Sequence, residues 1–362
     1  MSEATWWVGL DVHASRTAVA VLDTATGEVT KRTVLGRPHE VMEVLEALPG
    51  RVRAVYEAGP TGYGLARRSR RGLEISVCAP GEIAGGGGAK SRIKTDARDA
   101  LKLARLHMAG ELTLVVVPSV EQEQVRDLVR AREDVRADLM RARHRLGKFL
   151  LRRERYFPGR DRAWTAVHRD WLASLVFDDL PSEATFADYL HAHDTLLARR
   201  DRLDEHIEQT ALTWSLADEV ARLRCLRGID TLSAMGLVAE TRGLRRFDRP
   251  RHVSAFVGLV PGEHTTGDKR RIGSITKAGS PHARRLLVEA AWHYRKPPRL
   301  NGSLRRRQDA AAPATVDCAW RAQRRLHQRW RELHQQRGKR STVTAIAVAR
   351  ELSHFCWEIT HT

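Results

Sequence analysis

The sequence predicts an α/β domain followed by two largely helical regions, with bounds of 1–115, 116–215 and 216–362. Three patterns predict this division. In the first region, alternating apolar residues mark short strands that are separated by tight turns. In the second, a heptad-like recurrence of apolar residues marks long helices. In the third, helices interrupted by glycine turns dominate the pattern. A chain of 362 residues is also too long for one ordinary core.

The first region opens with three alternating segments, TWWVGLDV, TAVAVLD and EVTKRTV, which HASR and TATG connect. Such spacing indicates an antiparallel meander. HEVMEVLEAL then has helical periodicity, RVRAVYEA is a strand that ends at Glu57, and PTGYGLARRSRR begins with proline, as helices often do. LEISVCAP is a fifth strand, and TDARDALKLARLHMAG is a helix capped by Thr95 or Asp96. The order βββαβαβα, with an acid on the first strand, fits an RNase-H-like fold.

The second region contains an Arg-rich helix with a narrow apolar seam. Its members recur at alternating spacings of four and three, and they are Val135, Leu139, Ala142, Leu146 and Phe149. A later helix before Trp214 carries further apolar positions, including Leu203 and Ile207. Two interpretations follow from this pattern. The helices form a hairpin that packs on itself, or the seam is a coiled coil that pairs with another subunit.

The third region combines a helical scaffold with several basic segments. LRCLRGIDTLSAMGLVAE indicates a helix, a glycine turn and a helix, similar to a helix-hairpin-helix element, whose backbone amides can hold a DNA phosphate. HTTGDKRR, residues 264–271, is predicted to be a basic loop, and SPHARRLLVEAAWHYR a helix. The segment 297–340 is strongly basic with few apolar positions, so we expect a peripheral helix along a phosphate backbone.

The charge balance points to a polyanionic partner. Lys and Arg number 62 against 44 Asp and Glu, which gives a formal charge of +18 and favours nucleic acid. A membrane protein is not expected, because the apolar runs fall short of the roughly 18 residues that a spanning helix needs. The N-terminal segment lacks a secretory pattern, and four widely spaced cysteines indicate reduced thiols in the cytoplasm.

Four carboxylates fall at positions that the predicted fold would bring together. Asp11 and Glu57 end two strands, and Asp96 and Asp99 lie three residues apart on one helix, so they share a face. Converging carboxylates repel one another unless cations neutralise them. Mg²⁺ is the natural counter-ion, because it prefers oxygen ligands and also binds phosphate oxygens. Any one of these acids has an ordinary structural explanation, such as compensation of a helix dipole by Asp99. The set of four predicts a magnesium site.

Several stretches together resemble one family of enzymes. They are VGLDVHASRTAVAVLD, VYEAGPTGYGLAR, RIKTDARDALKLARL, FVGLVPGEHTTGDKRRIGSITKAG and ARRLLVEAAWHYR. In this order they are similar to the DEDD transposases of the insertion-sequence family numbered one hundred and ten, the bridge-RNA-guided recombinases. The resemblance implies a RuvC-like N-terminal domain, a helical coiled-coil middle and a mostly α-helical C-terminal transposase domain. It also implies a homo-oligomer, a dimer or tetramer, and a structured guide RNA that pairs with both element and target DNA.

The resemblance assigns roles to individual residues. The acidic quartet of the family falls on Asp11, Glu57, Asp96 and Asp99. The nucleophilic serine of the family falls on Thr266, which is a departure, and Thr265 and Ser274 are the alternative hydroxyls. The candidate phosphate-binding cations flank the acids or follow Thr266, and they are Lys94, Lys269, Arg270, Arg271, Lys277, Arg284 and Arg285. His13, two residues after Asp11, either positions a proton or a phosphate or has no role beyond its turn.

Two other functions are compatible with the same residues. In a RuvC-like junction nuclease, metal-activated water would replace Thr266, and the C-terminal half would only bind DNA. In a non-catalytic nucleic-acid scaffold, the acidic site would have decayed, which the complete set of four carboxylates argues against. Recombinase and nuclease differ in product, since one rejoins strands and the other leaves free ends.

Overall fold

The computed structural model describes residues 5–80, 95–159, 163–266 and 269–362, and of residues 264–266 and 269–272 it describes the backbone alone. The chain forms two compact units, Met1–Ser119 and Val120–Thr362. Each unit has its own hydrophobic core.

The first unit is built on one mixed five-stranded sheet. Its strands are β1 (Thr5–Val12), β2 (Arg16–Asp23), β3 (Val29–Leu35), β4 (Arg51–Glu57) and β5 (Leu73–Cys78). They lie in the order β3-β2-β1-β4-β5. The β1–β2 and β2–β3 pairs are antiparallel, whereas β1–β4 and β4–β5 are parallel. The predicted meander is therefore confirmed, and the sheet has the strand order of an RNase-H-like fold.

Helices cover both faces of this sheet. Helix α1 (Val41–Glu46) follows a short 3-10 turn, and α2 (Asp96–Met108) follows the fifth strand. Val8, Leu10 and Tyr56 face the side that packs against α1. The opposite face carries small residues such as Ala20, which packs against Ala100 of α2. Small side chains allow a helix to lie close to the sheet, and this is the face on which Asp11 lies.

The helix predicted over residues 60–71 is wrong, because only a 3-10 turn at Ala66–Arg68 forms there. Gly62 has a φ of +68°, which a right-handed helix does not accommodate, and its carbonyl accepts a hydrogen bond from the Tyr56 hydroxyl at 2.9 Å. Ser69 Oγ then bonds to Ala66 O and accepts from Ile75 N. Glycine and these side-chain bonds end the turn early.

Strand β3 is the edge of the sheet next to β2, and most of its residues are exposed. Lys31 and Arg32 lie in its centre, paired with Ala20 and Val19 of β2. The other edge strand, β5, is extended at Cys78 by an isolated bridge to Leu114. The two edges are therefore protected differently, one by charge and one by a connecting segment.

The second unit begins with a long helical hairpin. Its helices are α3 (Val120–Arg152), α4 (Ala166–Ala173) and α5 (Leu180–Thr213). Arg132 pairs with Asp204, and Arg143 lies against His193, so α3 and α5 run antiparallel. The seam residues Val135, Leu139, Ala142, Leu146 and Phe149 are buried within the same chain. Of the two interpretations of the seam, the structure therefore supports the hairpin that packs on itself.

A helical bundle with one small hairpin completes the second unit. Its elements are α6 (Ala217–Leu223), α7 (Thr231–Thr241), α8 (Pro250–Phe256), β6 (Pro261–Thr266), β7 (Lys269–Ile275), α9 (Pro281–Ala291), α10 (Gly302–Gln308), α11 (Pro313–Trp330) and α12 (Ser341–Thr360). LRCLRGIDTLSAMGLVAE begins at Leu223, the residue at which α6 ends, so its predicted first helix is wrong: residues 224–228 form turns, and the predicted glycine turn at Gly228 and second helix, α7, are present. The peripheral helix expected in the basic segment is wrong for α11, because Ala322, Leu326 and Trp330 lie in the core. Its buried face also contains small and polar residues, such as Cys318, Ala319 and Gln323, so the sequence of the segment shows few apolar positions.

All four cysteines are buried and free of disulfide bonds. Within the part of the chain that the structure describes, every helix is too short or too polar to cross a bilayer.

Candidate active site

The candidate site begins at the carboxyl ends of two neighbouring strands. The parallel β1–β4 pairing ends at Leu10 and Tyr56, so Asp11 and Glu57 follow side by side at the same edge of the sheet. Leu10 and Tyr56 point into the core on the α1 side. Because side chains alternate along a strand, Asp11 and Glu57 share the opposite face, which α2 covers.

Gly9 allows α2 to approach this face. A Cβ atom at position 9 would fall far inside contact distance of the Ala100 carbonyl oxygen and 2.7 Å from the Ala104 nitrogen. Helix α2 therefore lies directly over β1. It begins after Thr95, whose backbone is extended, and its first turn contains Asp96 and Asp99. The close approach carries the acidic first turn of α2 to the end of β1.

Three side chains converge there. His13 Nε2 lies 3.5 Å from Asp11 Oδ2 and 3.8 Å from Asp96 Oδ2. One ligand atom from each of Asp11, His13 and Asp96 can be chosen so that all lie within 4.8 Å of one another. Arg16, at the start of β2, adds an ion pair, with its Nη2 2.9 Å from Asp96 Oδ2. We call Asp11, His13 and Asp96 the acidic cluster.

Within the acidic cluster, the surroundings of Asp11 disfavour its ionised carboxylate. Burial raises the pKa of the Asp11 carboxyl, His13 lowers it, and the charges of Asp96 and Asp99 raise it again, so that the balance is a raised pKa. Asp99 is therefore close enough to influence Asp11. A bound cation would relieve both the repulsion and the cost of burial.

The structure places the four predicted acids unequally. Asp11 and Asp96 meet in the acidic cluster, and Asp99 acts on Asp11 through its charge. Glu57 lies at the neighbouring strand end with an exposed side chain. Sequence reasoning did not single out Arg16. The available signal was the tight HASR turn, which returns the chain beside Asp11.

Residues 264–266 and 269–271 of HTTGDKRR lie on the two strands of an antiparallel hairpin, where a loop was predicted. Thr266 ends β6 and pairs with Lys269, which begins β7, and Thr265 pairs with Arg270. A strand fixes the backbone at these positions more firmly than a loop would. The side chains of 264–266 and 269–272, and all of Gly267 and Asp268, lie outside the described residues.

The remaining candidate cations have different surroundings. Lys277 is exposed just after β7, with a φ of +57°. Arg284 donates to the carbonyls of Val257 and Ala278, at 2.9 Å each. Arg285 forms ion pairs with Glu133 and Glu289. Lys94 lies outside the described residues. Arg284 and Arg285 thus stabilise the fold through contacts within the protein.

Comparison of the sequence with known proteins identifies the family of the chain. Residues 8–158 match the profile of IS110-type DEDD transposases, and residues 220–304 match the profile described as "Transposase IS116/IS110/IS902 family". The protein y4qE of Sinorhizobium fredii, which is named as a transposase, is 40% identical to this chain over 359 residues. The match covers 98% of this chain and 88% of y4qE. The transposase for insertion sequence element IS1533 of Leptospira borgpetersenii is 32% identical, covering 92% and 98%. The chain therefore belongs to the IS110 family of insertion-sequence DNA transposases.

Proposed function

We propose that this transposase cuts and rejoins DNA with Mg²⁺ held by Asp11, Glu57, Asp96 and Asp99, and that a guide RNA encoded by the element directs it. The observation that carries the metal proposal is the acidic cluster, in which ligand atoms of two carboxylates and an imidazole lie within 4.8 Å of one another. The resemblance to bridge-RNA-guided recombinases supports the proposal that a guide RNA directs the enzyme.

The donor set fits a divalent cation. Carboxylate oxygens of Asp11 and Asp96 are hard ligands of the kind that Mg²⁺ prefers, and Glu57 and Asp99 supply two more at the same edge of the sheet. The raised pKa of Asp11 reflects burial and repulsion that a cation would offset. When bound, Mg²⁺ supplies polarisation of the scissile phosphodiester and lowers the pKa of the attacking hydroxyl.

Protein side chains supply the remaining functions in this proposal. His13 and Arg16 lie against Asp11 and Asp96 and keep both carboxylates oriented. Thr266 provides the nucleophile, so its Oγ bonds to phosphorus while the bond to the leaving strand breaks, and its proton passes to solvent. Threonine carries the same hydroxyl as serine, and its extra methyl stiffens χ1.

Phosphate binding beside Thr266 is assigned to the nearby cations. Lys269, Arg270, Arg271 and Lys277 lie on or just after β7, and Lys94 precedes α2. Gly267 allows the DNA backbone to approach closely. Arg284 bonds to the Ala278 carbonyl at the end of this segment, Arg285 pairs with Glu133 and Glu289, and their remaining N–H donors are assigned to phosphate.

A second candidate function, a metal-dependent junction nuclease, is favoured by one observation. Thr266 stands where the family has serine, and a stiffer side chain can block attack instead of fixing its angle. Water would then be the nucleophile, and the products would be free ends without rejoining. The two functions are distinguished by whether a protein–DNA adduct forms.

The metal proposal is tested with Asp11→Asn and Asp96→Asn proteins. We expect both to lose Mg²⁺-dependent strand cleavage by at least about a hundredfold, because removing a charged ligand weakens the ion and its polarisation of phosphate. DNA affinity in a gel-shift assay should change by less than about twofold. Glu43→Gln, an exposed acid on α1, is the matched control. Cleavage by both variants at the wild-type rate would exclude the acidic cluster as the metal site.

The nucleophile is tested by trapping. Protein reacted with Mg²⁺, DNA and candidate guide RNA is digested, and any residue linked to DNA is mapped by mass spectrometry. We expect the adduct on Thr266. An adduct on Thr265 or Ser274 would move the assignment, and cleavage by Thr266→Ala without an adduct would favour the nuclease. Removal of the RNA by ribonuclease should abolish the reaction if an RNA directs it.

The organisation of the chain is also part of the proposal. We assign catalytic carboxylates to region 1–115, a helical connecting function to 116–215 and nucleophile and DNA contacts to 216–362. We expect a homo-oligomer, a dimer or a tetramer, in sedimentation experiments with DNA and RNA. A monomer under those conditions would contradict that assembly.

A further inference from the structure

A second basic surface lies in Val120–Thr362, on elements other than the hairpin that carries Thr266. It is a groove of about 910 Å³, and the turn before α7, the segment between α9 and α10, and α10 itself line it. Four cations line this groove, Arg227, Lys296, Arg299 and Arg307, against the single carboxylate of Asp230. We call it the basic groove. None of its residues belongs to the candidate active site.

The walls of the basic groove are fixed before any ligand arrives. Arg227 Nη1 donates to the carbonyl oxygens of Pro297, at 2.7 Å, and Lys296, at 3.4 Å. The backbone N–H of Arg299 donates to Gln323 Oε1 at 3.0 Å, and Gln323 is buried. Ordered backbone of this kind reduces the entropy lost on binding. The segment 296–299 is therefore a built wall and not a loose basic tail.

The turn that carries Arg227 depends on a glycine. Gly228 has a φ of +86°, and a Cβ atom there would lie 2.9 Å from the Ala290 carbonyl oxygen and 3.0 Å from the His293 ring. Glycine therefore brings the turn against the end of α9. Arg227, the residue before this glycine, bonds to the carbonyls of Lys296 and Pro297. Arg307 also contacts the turn, by donating to the carbonyl of Ile229.

An aromatic ring lies among these cations. Trp292 lines the basic groove and is 36% exposed, and its ring makes a tilted contact with buried Trp330, with ring centroids 5.3 Å apart. Trp330 thus holds the indole in place while part of it remains open. Cations beside a fixed, open aromatic ring are the combination by which proteins bind a nucleic-acid strand, through its phosphates and a stacked base.

We propose that the basic groove binds an unpaired nucleic-acid strand, with phosphates at Lys296, Arg299 and Arg227 and one base stacked on Trp292. A duplex hides its base faces within its own stack, so only an unpaired or displaced strand satisfies both features. Burial and the neighbouring cations lower the pKa of His293. This inference depends on a nucleic-acid substrate and not on the metal proposal.

The charge contribution is tested by measuring the anisotropy of a labelled ten-residue oligothymidylate over a range of salt concentrations. A double variant, Lys296→Gln with Arg299→Gln, should lower the slope of log affinity against log salt by about 1.4, because each single-strand phosphate contact contributes about 0.7. The matched control is Arg324→Gln with Arg350→Gln, two exposed arginines that do not line the groove. An equal fall in the control, or no fall in the groove variant, would overturn the proposal.

The stacking contribution is tested at Trp292. We expect Trp292→Leu to bind the oligothymidylate about tenfold more weakly and Trp292→Phe to retain most of the affinity, since a base stacked on an aromatic ring contributes about 1–3 kcal/mol. Melting curves check that both variants fold. If Trp292→Leu binds like the wild type, or weakens duplex binding equally, no base is stacked there.

The source of the strand is assigned by comparing oligothymidylate with oligouridylate of the same length. Tighter binding of the first, sensitive to Lys296 and Arg299, would identify DNA, and tighter binding of the second would identify RNA. Both affinities are measured without Mg²⁺, so that they do not depend on a metal ion at the acidic cluster. Failure of the groove proposal is thereby separated from failure of the metal proposal.

Discussion

Position 9 shows how one missing side chain organises the candidate site. Gly9 lies on β1 two residues before Asp11, on the face that α2 covers. Its hydrogen atom is the only substituent that leaves room for the Ala100 carbonyl. The distance between helix and sheet, and with it the position of Asp96 relative to Asp11, therefore depends on this residue.

We predict that Gly9→Ala moves α2 away from the sheet and reduces strand cleavage by at least about tenfold. The obstructing atoms are the backbone of Ala100 and Ala104, which cannot rotate aside as a side chain could. Gly64→Ala is the control, since a Cβ atom there has open space. Cleavage rates and melting temperatures are compared. A fully active, equally stable Gly9→Ala protein would contradict this account of the site.

Glu240 is a buried carboxylate on α7. Arg130 binds it through two hydrogen bonds of 2.9 and 3.0 Å, and His282 Nδ1 lies 3.6 Å from Oε1. Burial alone would raise the pKa of Glu240, but His282 and Arg130 outweigh it and lower the pKa to about 2. The residue thus connects α3, α7 and α9 by charge.

This lowered pKa predicts a pH dependence of stability. The folded pKa lies below the ordinary value of 4.5, so the contribution is complete above pH 4.5 and is lost as the pH falls toward about 2. We expect Glu240→Gln to lower the free energy of unfolding at pH 7 by about 3 kcal/mol. Urea titrations at pH 7 and 3 should show a smaller difference at pH 3. Exposed Glu289→Gln is the control, and an equal loss at both pH values would refute the linkage.

Single residues of the candidate site differed in how well sequence predicted them. Asp11 and Glu57 could be placed because strand periodicity locates both strand ends, and parallel pairing brings such ends together. Asp96 and Asp99 followed from helix spacing. The ion pair of Arg16 with Asp96 could not be predicted, since it depends on the exact path of the β1–β2 turn.

Among the elements, the α3–α5 hairpin shows what periodicity leaves undetermined. The spacing of Val135, Leu139 and Leu146 predicted a helix with one apolar face, but the same spacing suits a partner in another subunit or in the same chain. The structure gives that partner. Leu146 and Phe149 pack with Phe186 of α5, and Leu172 of α4 joins them.

We therefore predict that Leu146→Ala destabilises the hairpin and does not dissociate an oligomer. Leu146 is fully buried, so the substitution should cost about 2–5 kcal/mol of unfolding free energy. Met140, 40% exposed on the same helix, provides the control substitution Met140→Ala, with an expected cost below about 1 kcal/mol. Unfolding is followed by circular dichroism and assembly by sedimentation. Dissociation without loss of stability would show that the seam pairs subunits.

At the scale of the whole molecule, the folding units differ from the three functional regions assigned above. Val125 and Val129 of α3 belong to the same hydrophobic core as Leu326 of α11 and Leu352 of α12. The base of the helical hairpin is thus part of the C-terminal core. Sequence periodicity could not show this, because it identifies an apolar face but not the distant residues that cover it.

We predict that a fragment spanning Val120–Thr362 folds by itself and unfolds in one cooperative transition. Its core contains residues from both the hairpin and the bundle, so neither should melt alone. Scanning calorimetry of the fragment measures this. Two separate transitions would mean that the hairpin is an independent domain.

The charged edge strand β3 has a consequence for the behaviour of concentrated protein. An exposed strand edge is a template on which another copy can add a strand, and such additions lead to aggregation. Lys31 and Arg32 place like charges at the centre of that edge, so two copies that approach one another there repel. The same side chains would lose this protective effect at high ionic strength, where salt screens their charge. Concentrated salt is often chosen to keep a basic protein from binding stray nucleic acid. For this protein, such storage also removes the charge repulsion that keeps the β3 edges of two copies apart.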